Sequence, residues 1–319
     1  MTRVLLTGAF GNMGPNAVAA ILEQGHQLRC FDRDTEATRR KAARFEGRAE
    51  IVWGDLCSDS DVAAAVDGCE VVIHMGYSLP PFTERKPDKA RDINVGGTRR
   101  ILKAMKASPS ASRIVFLSTS SVFKLDPDNH SPRTPSDPVE ATDNYSAHKL
   151  ECEGMVRESG LEWCIFRMGS LPTIVPEIGP WLFFIPLDTP MPFLHPGDAG
   201  RAMASAVDSR EIWGKVLLIA SGEDSRIRYR DFAEAYARAA GIGTLPEEAF
   251  STTPYYIVWM DTSESQRLLD YQRHSFADFA RDMPSKVGPR RYKVMLLRPR
   301  YRRRLLEQSP FYKAVHQRQ

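Results

Sequence analysis

Short apolar runs alternate with stretches of helical period along the first two thirds of the chain. The apolar runs have the length and composition of buried strands, and they comprise residues 4–6, 27–31, 50–53, 70–74, 113–117, 162–166 and 216–219. The stretches expected to form helices comprise residues 17–23, 59–66, 95–106, 145–159 and 199–207. Such regular alternation predicts an α/β fold, a doubly wound parallel sheet with helices on both of its faces.

Two regions interrupt this alternation. Residues 171–196 are rich in proline and aromatic residues, which indicates a lid or a pocket wall. After Ser221 the pattern becomes irregular and helical. We therefore predict three parts. A core domain comprises residues 1–170 and is completed by about 196–220. A small C-terminal subdomain that binds the substrate comprises residues 171–195 and 221–285, and an extension comprises residues 286–319.

The composition is typical of a globular chain with reduced cysteines. With 319 residues, 42% of them hydrophobic, the chain can bury a continuous core. Residues 1–10 lack the apolar segment of a signal peptide, and the chain has no apolar run of about 18 residues that could span a membrane. The five cysteines are scattered without a Cys-x-x-Cys pair, and the histidines are not clustered. We therefore expect a cytoplasmic protein with free thiols and no metal site.

Positive charge is concentrated at the C-terminal end. Eleven of the 43 Lys and Arg residues lie in residues 286–319, against the single acidic Glu307, although the whole chain has a net charge of only +3. We expect this extension to pack against the acidic remainder of the chain or against a second subunit of a homodimer. Nucleic acid or a membrane surface would bind similar residues. Pro289, Pro299 and Pro310 interrupt any long amphipathic helix, however, so neither partner is expected.

A glycine-rich turn separates the first predicted strand from the first predicted helix. Thr7 is followed by Gly8, Gly11 and Gly14 at a regular spacing of three residues. Such a turn lets backbone N–H groups and the positive end of a helix approach a pyrophosphate without interference from Cβ atoms. Its place between a strand and a helix makes a dinucleotide the expected ligand.

Asp32 ends the second predicted strand, 18 residues after Gly14. A carboxylate at this point can accept hydrogen bonds from the adenosine ribose hydroxyls, and it repels a 2′-phosphate. The neighbouring Arg33 could bind that phosphate or could be a solvated surface residue. The pattern therefore favours NAD over NADP as the cofactor.

Tyr145 and Lys149 lie one helical turn apart on the same face of a predicted helix. A phenol has a pKa of about 10, and a nearby ammonium stabilises its phenolate, so the pair is suited to proton transfer near neutrality. Hydroxyl groups also follow the strand of residues 113–117, at the sheet edge where ligands bind in such folds, and they belong to Ser118, Thr119, Ser120 and Ser121. A serine-rich turn can instead satisfy its own backbone.

Together these motifs resemble those of the extended short-chain dehydrogenase/reductase (SDR) family, specifically its NAD-dependent epimerase/dehydratase branch, over residues 1 to about 280. The matching motifs occur in the family's order, and they are Thr-Gly-x-x-Gly-x-x-Gly at residues 7–14, Asp55-Leu56, His74-Met75-Gly76 and Asn-Val-Gly-Gly-Thr at residues 94–98. The resemblance implies a Rossmann-type doubly wound sheet. It also implies an NAD(P)-dependent oxidoreductase that transfers a hydride at an alcohol or carbonyl carbon.

The resemblance further implies roles for individual residues. Thr119 matches the catalytic hydroxyl, Tyr145 the acid/base, and Lys149 the residue that binds the nicotinamide ribose and lowers the pKa of the tyrosine. The residues predicted to bind the cofactor are Gly8, Phe10, Gly11, Asn12, Met13, Gly14, Asp32, Arg33, Asp55, Leu56, Met75, Gly76, Asn94, Ser118, Tyr145, Lys149, Arg167 and Met168. Those predicted to contact the substrate are Ser78, Thr119, Ser120, Ser170 and Trp181.

The chain also departs from the family pattern. Residues 167–171 replace the Arg-Pro-x-x-x-Tyr-Gly-Pro stretch of nucleotide-sugar enzymes, and Ser120 and Ser121 replace the Asp-Glu pair of the sugar dehydratases. We therefore expect a dehydrogenase or reductase that acts on a small alcohol, carbonyl or sugar-derived substrate, and not a dehydratase. One alternative is a nucleotide-sugar epimerase with tightly bound NAD. Another is a non-catalytic NAD(P)-sensing regulatory protein, which Tyr145 disfavours because sensors on this fold tend to lack the tyrosine.

Overall fold

The computed structural model describes residues 1–126, 131–172, 178–255 and 257–316. Residues 173–177, which belong to the predicted subdomain segment 171–195, therefore lie outside the described residues. Every helix within the described ranges is too short or too polar to cross a membrane.

The core of the fold is a parallel sheet of seven strands. In chain order, the strands of the described residues, in this sheet and in a smaller one, are β1 (Arg3–Thr7), β2 (Gln27–Asp32), β3 (Glu50–Trp53), β4 (Val71–His74), β5 (Arg113–Thr119), β6 (Glu162–Met168), β7 (Pro190–Pro192), β8 (Lys215–Ile219) and β9 (Arg226–Arg228). The large sheet has the order β3-β2-β1-β4-β5-β6-β8, and β7 pairs with β9 in a separate antiparallel ribbon. The predicted Rossmann-type, doubly wound parallel sheet is confirmed.

Helices pack on both faces of this sheet and in the C-terminal part of the chain. In chain order the helices of the described residues are α1 (Gly14–Glu23), α2 (Glu36–Ala42), α3 (Asp59–Val66), α4 (Phe82–Arg85), α5 (Pro87–Arg91), α6 (Gly97–Ala107), α7 (Asn144–Arg157), α8 (Pro196–Asp208), α9 (Tyr229–Ala239), α10 (Ser263–Leu269), α11 (Phe276–Val287), α12 (Arg290–Leu296), α13 (Arg298–Leu306) and α14 (Pro310–His316). A π-helical turn, Asp92–Gly96, joins α5 to α6. The sequence pattern did not predict α2, α4 and α5, because these short polar helices carry few apolar residues that could reveal a period.

Successive residues of β1 point to opposite faces of the sheet, as the strand period requires. Val4 and Leu6 pack with α1 and α8 on one face, whereas Leu5 packs with α3, α6 and α7 on the other. All three side chains are fully buried. A strand that is covered on both faces becomes a continuous apolar run in the sequence, which is why the strands could be predicted from the apolar runs alone.

A third apolar cluster lies in the C-terminal part of the chain. It joins Tyr236 of α9 and Phe279 of α11 to Leu305 and Leu306 of α13. The basic extension therefore packs against the chain's own body, which is one of the two predicted arrangements. Apolar side chains make this contact, while Leu296 of α12 remains 82% exposed.

The start of α8 is joined to the segment that follows α10. The rings of His195 and His274 are stacked with centroids 4.1 Å apart, and Asp198, His195 and His274 place potential metal-ligand atoms within 4.8 Å of one another. The buried Asp198 carboxylate accepts hydrogen bonds from the backbone N–H groups of Arg273 and His274, both at 3.1 Å, and lies 2.6 Å from His274 Nδ1. Because the carboxylate oxygens already have these partners, we interpret the cluster as a structural contact.

Candidate active site

A cavity of about 550 Å³ opens at the carboxyl ends of the parallel strands. It lies where the chain order reverses between β1 and β4, the point at which doubly wound sheets bind their ligands. Residues that follow β1, β2, β3, β4, β5 and β6 all contribute to its wall. The topology therefore brings together side chains that are far apart in the sequence.

Most of the predicted site residues line this cavity. They are Gly8, Gly11, Asn12, Met13, Asp32, Arg33, Asp55, Leu56, Met75, Gly76, Ser78, Ser118, Thr119, Tyr145, Lys149 and Met168. The remaining predicted site residues do not line the cavity; they are Phe10, Gly14, Asn94, Ser120, Arg167, Ser170 and Trp181. Ser170 and Trp181 instead line a second, smaller chamber.

The glycine loop is shaped by two close approaches of backbone. Gly8 has a φ of +69°, and a Cβ there would lie 2.7 Å from the Cα of Gly76 at the end of β4. A Cβ on Gly14 would lie 2.1 Å from the carbonyl oxygen of Ala9. The N-terminus of α1 begins at Gly14 without a hydrogen bond from a capping side chain. Pro15 has no N–H, and the Asn16 N–H donates to the Met13 carbonyl oxygen at 3.1 Å, so the positive end of the helix is what α1 offers to an anion here.

Gly11 differs from Gly14 because it faces the cavity and has space around it. A Cβ on Gly11 would meet only the Gly8 carbonyl oxygen, at 3.3 Å. We expect Gly11→Ala to fold normally but to bind NAD on the order of tenfold more weakly, since the added methyl group occupies space that the pyrophosphate needs. Gly14→Ala should instead lower the melting temperature, because α1 must shift to accommodate the methyl group.

Thermal unfolding and calorimetric titration with NAD measure the two effects separately. Gly154→Ala on α7 is the matched control, because a Cβ there meets nothing within 4 Å; it should leave NAD affinity unchanged. Unaltered NAD affinity in Gly11→Ala would contradict the placement of the cofactor over this loop.

Asp32 is held at the end of β2 by backbone groups. Its carboxylate accepts hydrogen bonds from the N–H of Phe10 and from the N–H of Arg33, each at 2.8 Å. The Phe10 side chain is buried, with its ring 5.6 Å from that of Trp53. Phe10 was predicted to contact the cofactor, but its described role is to orient Asp32 through the backbone.

A chain of buried hydrogen bonds fixes the loop after β4. Thr7 Oγ1 accepts from the N–H groups of Met75 and Gly76, at 3.2 and 3.0 Å, and lies 2.7 Å from His74 Nδ1. Asn94 Oδ1 accepts from the Ser78 N–H at 2.7 Å. Burial lowers the pKa of His74 to about 3, so this ring is neutral. Asn94 was predicted in the cofactor's neighbourhood, and it acts on the cavity by holding this loop.

Tyr145 faces the cavity from the first turn of α7, beside Thr119 at the end of β5. Burial raises the pKa of Tyr145 to about 12, and its hydrogen bond with Thr119 acts in the opposite direction. Lys149 Nζ donates to the Leu117 carbonyl oxygen at 2.5 Å, and burial lowers the pKa of this lysine to about 7. Lys149 Nζ lies 5.9 Å from the centre of the Tyr145 ring. That Lys149 lowers the pKa of Tyr145 stays a prediction; in this structure burial raises that pKa and Thr119 lowers it.

The sequence analysis missed Tyr77, whose ring contacts both of the predicted catalytic side chains of α7. Lys149 Nζ is 3.4 Å from the centre of this ring, and the Tyr145 ring packs against it edge-on with centroids 5.9 Å apart. Burial raises the pKa of Tyr77 far above its usual value, so it remains a neutral phenol. Only its place directly after the His74-Met75-Gly76 motif could have indicated a role, because one aromatic residue carries no periodic signal.

Arg167 was predicted to bind the cofactor, and the structure instead pairs it with a buried carboxylate. Its Nε and Nη2 atoms donate to Glu153 of α7 at 3.1 and 2.9 Å. The Ser118 hydroxyl donates to the same carboxylate at 2.6 Å. Arg167 therefore joins β6 to α7 behind the cavity wall, and the carboxylate satisfies the charge that it would have offered to a ligand.

A comparison with protein families identifies the chain. The model of the family described as "NAD dependent epimerase/dehydratase" matches residues 4–172, more than half of the sequence. The chain belongs to the NAD-dependent epimerase/dehydratase family. The resemblance predicted from the motifs is thereby confirmed, together with an SDR-type enzyme whose cofactor is NAD.

Among curated proteins, this family member resembles the 3β-hydroxysteroid dehydrogenase/Δ5→4-isomerase of Mycobacterium tuberculosis. The two are 33% identical over 126 residues, which cover 38% of this chain and 32% of that protein. Sterol demethylase protein B of Methylococcus capsulatus is 27% identical over 187 residues, which cover 56% of this chain and 52% of that protein. The chain thus spans about a third to a half of the length of these relatives.

Among solved structures, the family member is similar to UDP-glucuronic acid 4-epimerase from Bacillus cereus, crystallised with UDP-glucuronic acid and NAD. The TM-score is 0.73 at 18% identity, over 89% of this chain and 98% of that one. The dTDP-glucose 4,6-dehydratase DesIV from Streptomyces venezuelae has a TM-score of 0.75 at 21% identity, over 91% and 98% of the two chains. At these identities the likeness shows the fold.

Proposed function

We propose that the chain is an NAD-dependent alcohol dehydrogenase or carbonyl reductase in which Tyr145 exchanges the proton of the substrate hydroxyl. The placement of Tyr145 and Thr119 carries this proposal, because both side chains line the same cavity and Thr119 lowers the pKa of Tyr145. Such a pair can hold one substrate oxygen and move one proton.

The residues around the cavity fit NAD. The open loop at Gly11 and the uncapped end of α1 suit a pyrophosphate, and the carboxylate of Asp32 suits the ribose hydroxyls. When bound, NAD accepts or supplies the hydride. The chain's own residues then handle the proton and the oxygen.

In alcohol oxidation, Tyr145 as phenolate accepts the hydroxyl proton, while Thr119 donates a hydrogen bond to the oxygen that becomes the carbonyl. Lys149 carries a positive charge below its pKa of about 7, and in that form its ammonium, 3.4 Å from the centre of the Tyr77 ring, favours the phenolate of Tyr145. In carbonyl reduction the same proton returns from the neutral phenol. The raised pKa of Tyr145 keeps the phenol protonated near neutrality, which suits it to the reduction step.

The neighbouring hydroxyls argue against elimination of water. Ser120 and Ser121 occupy the positions after Thr119, and Ser120 is buried; neither hydroxyl titrates near pH 7, so neither can act as the acid or the base of a dehydratase. The relative from M. tuberculosis is named as a dehydrogenase, which supports net redox chemistry. An epimerase is the second candidate, because solved structures of the same fold include an enzyme named as an epimerase.

Incubating the purified protein with NAD and a panel of secondary alcohols tests the proposal, with absorbance at the reduced-nicotinamide band as the signal. NADH that accumulates in proportion to the oxidised product supports a dehydrogenase. An isomerised product without free NADH would indicate an epimerase, and tight NAD binding without turnover of any substrate would favour the sensor.

Asp32 is expected to set the preference for NAD. Removing its negative charge in Asp32→Asn should weaken NAD binding about tenfold to a hundredfold, the effect of losing a hydrogen bond to a charged group. In the same variant the affinity for NADP should rise relative to that for NAD, because the 2′-phosphate of NADP is no longer repelled. Calorimetry with both cofactors measures the ratio. Arg33→Ala is the matched control; if that variant changes the ratio more than Asp32→Asn does, Arg33 decides the preference.

Thr119 is expected to set the pH at which alcohol oxidation becomes efficient. Its hydrogen bond lowers the pKa of Tyr145, so Thr119→Val should raise that pKa and move the rising limb of the pH–rate profile to higher pH. At a fixed pH below this limb, oxidation should slow about tenfold to a hundredfold. Thr119→Ser keeps the hydroxyl and should restore the wild-type profile. A limb that does not move in Thr119→Val would contradict the assigned hydrogen bond.

A further inference from the structure

A second chamber of about 280 Å³ adjoins the cavity, and Leu171 belongs to the walls of both. The far wall of the chamber is apolar and aromatic, with Trp181, Ile185, Phe232 and Ile257 among its residues. Its volume lies just below the range of about 300–1,000 Å³ that is typical of small-molecule sites. The chamber therefore lies next to the catalytic cavity and is large enough for part of a ligand.

No charged side chain lines this chamber in the part of the chain that the structure describes. The charged residues in the wall of the catalytic cavity are Asp32, Arg33, Asp55, Lys89 and Lys149. Asp32 and Arg33 follow β2, four strands away from the β6 end of the sheet, which corresponds to about 19 Å at a strand spacing of ~4.8 Å. Lys89 lines the catalytic cavity but not the chamber, and Lys149 is occupied by the Leu117 carbonyl oxygen and the Tyr77 ring.

A diphosphate or a carboxylate on the substrate would require cations at the chamber, since buried anions are recognised by paired Arg or Lys groups. The polar residues of the chamber are uncharged: Ser170, next to Leu171, and Tyr229 and Tyr236. The Tyr229 hydroxyl donates to the Leu182 carbonyl oxygen at 3.0 Å. The arrangement is polar at the reacting end and apolar beyond it. Such a site selects a molecule with one oxygen on a hydrocarbon framework.

We infer that the substrate is an uncharged and mainly apolar alcohol or ketone, whose hydrocarbon framework occupies this chamber while its oxygen lies between Thr119 and Tyr145. The inference rests on the proposed function for the identity of the reacting oxygen. It also accounts for the exposure of Trp181. This residue is 44% exposed, and its ring packs edge-on against Tyr236 with centroids 6.2 Å apart; a bound hydrocarbon framework would cover it.

Two readouts separate the inference from the proposed function. The first is binding of the uncharged apolar dye N-phenyl-1-naphthylamine to the NAD-loaded protein, which requires no turnover. The second is the KM for a series of secondary alcohols of increasing size, namely cyclohexanol, 2-decalol and a 3β-hydroxysteroid, with UDP-glucose tested as a competitor. We expect the dye to bind, the KM to fall at least tenfold along the series, and UDP-glucose not to compete.

Trp181→Ala should weaken dye binding and raise the KM for the largest alcohol by about tenfold, with little change in kcat. Trp181→Phe should have an intermediate effect. Phe184→Ala is the matched control, because Phe184 is 52% exposed in the same turn but packs against Phe311 instead of lining the chamber. Circular dichroism and melting temperature establish that each variant is folded.

Competition by UDP-glucose, or dye binding that is equal in Trp181→Ala and Phe184→Ala, would overturn the inference. Dye binding that depends on Trp181 in a protein that oxidises no alcohol would support the apolar chamber and reject the proposed function. A KM that is lowest for cyclohexanol would support the proposed function and reject the apolar substrate.

Discussion

Tyr145→Phe is expected to lower turnover by about two to four orders of magnitude, the range typical of a lost general acid/base. The substitution removes only the phenolic oxygen, whose described partner is Thr119. The ring should keep its edge-on packing against Tyr77, at 5.9 Å between centroids. NAD affinity and the melting temperature should therefore remain close to those of the unchanged chain.

Tyr77→Phe provides the control for this experiment. It also removes a buried phenolic oxygen from the same cluster, but that oxygen lies 3.6 Å from Cys152 Sγ and has no place in the proposed proton transfer. We expect its turnover to change by no more than a few-fold. Measurements of kcat with a confirmed substrate, together with NAD titration, compare the two variants. Near-normal turnover in Tyr145→Phe would remove Tyr145 from the mechanism.

The sheet could be predicted from the sequence because both of its faces are buried. Residues 50–53 and 59–66 were predicted with the bounds that the structure has for β3 and α3. The ends of α7 and α8 differ by one to three residues from the predicted ranges 145–159 and 199–207. Helix ends depend on local hydrogen bonds that the apolar period does not encode. For the same reason the short polar helices α4 and α5 left no signal in the sequence.

For the candidate site, the sequence predicted which residues come together better than it predicted what they contact. The position of Tyr145 and Lys149 on one face follows from helical geometry. The partner of Lys149 depends on tertiary packing, which places the Leu117 carbonyl oxygen and the Tyr77 ring around its amine. The raised pKa of Tyr145 likewise results from burial, a quantity that a motif does not specify.

Arg167 shows how a family position can acquire another contact. The strand pairing places Arg167 beside Ser118, and Glu153 reaches both of them from α7. Glu153 was not singled out in the sequence, because one acidic residue within a helix is most often solvated. Its burial, with only 2% of the residue exposed, becomes evident only once the helix is placed on the sheet.

Glu153→Leu is expected to destabilise the fold by about 3–5 kcal/mol, because it leaves a buried charge without its partner. The side chains of Arg167 and Glu153 are only 4% and 3% exposed, so water cannot replace the lost carboxylate. Arg157, which also donates to Glu153 at 2.9 Å, is more exposed and can turn to solvent. Urea unfolding of the variant and the unchanged chain measures the loss.

The double variant Glu153→Leu with Arg167→Met decides whether the loss comes from the unpaired guanidinium. Replacing both members of a buried ion pair by apolar side chains is often nearly neutral, whereas removing one is not. We therefore expect the double variant to recover at least half of the stability that Glu153→Leu loses. Additive losses in the double-mutant cycle would mean that Glu153 acts through Ser118 and Arg157 instead. If Glu153 acts through Ser118, which directly precedes Thr119, Ser118→Ala should also lower turnover. If Glu153 acts only by pairing with Arg167, the turnover of Ser118→Ala should remain close to normal.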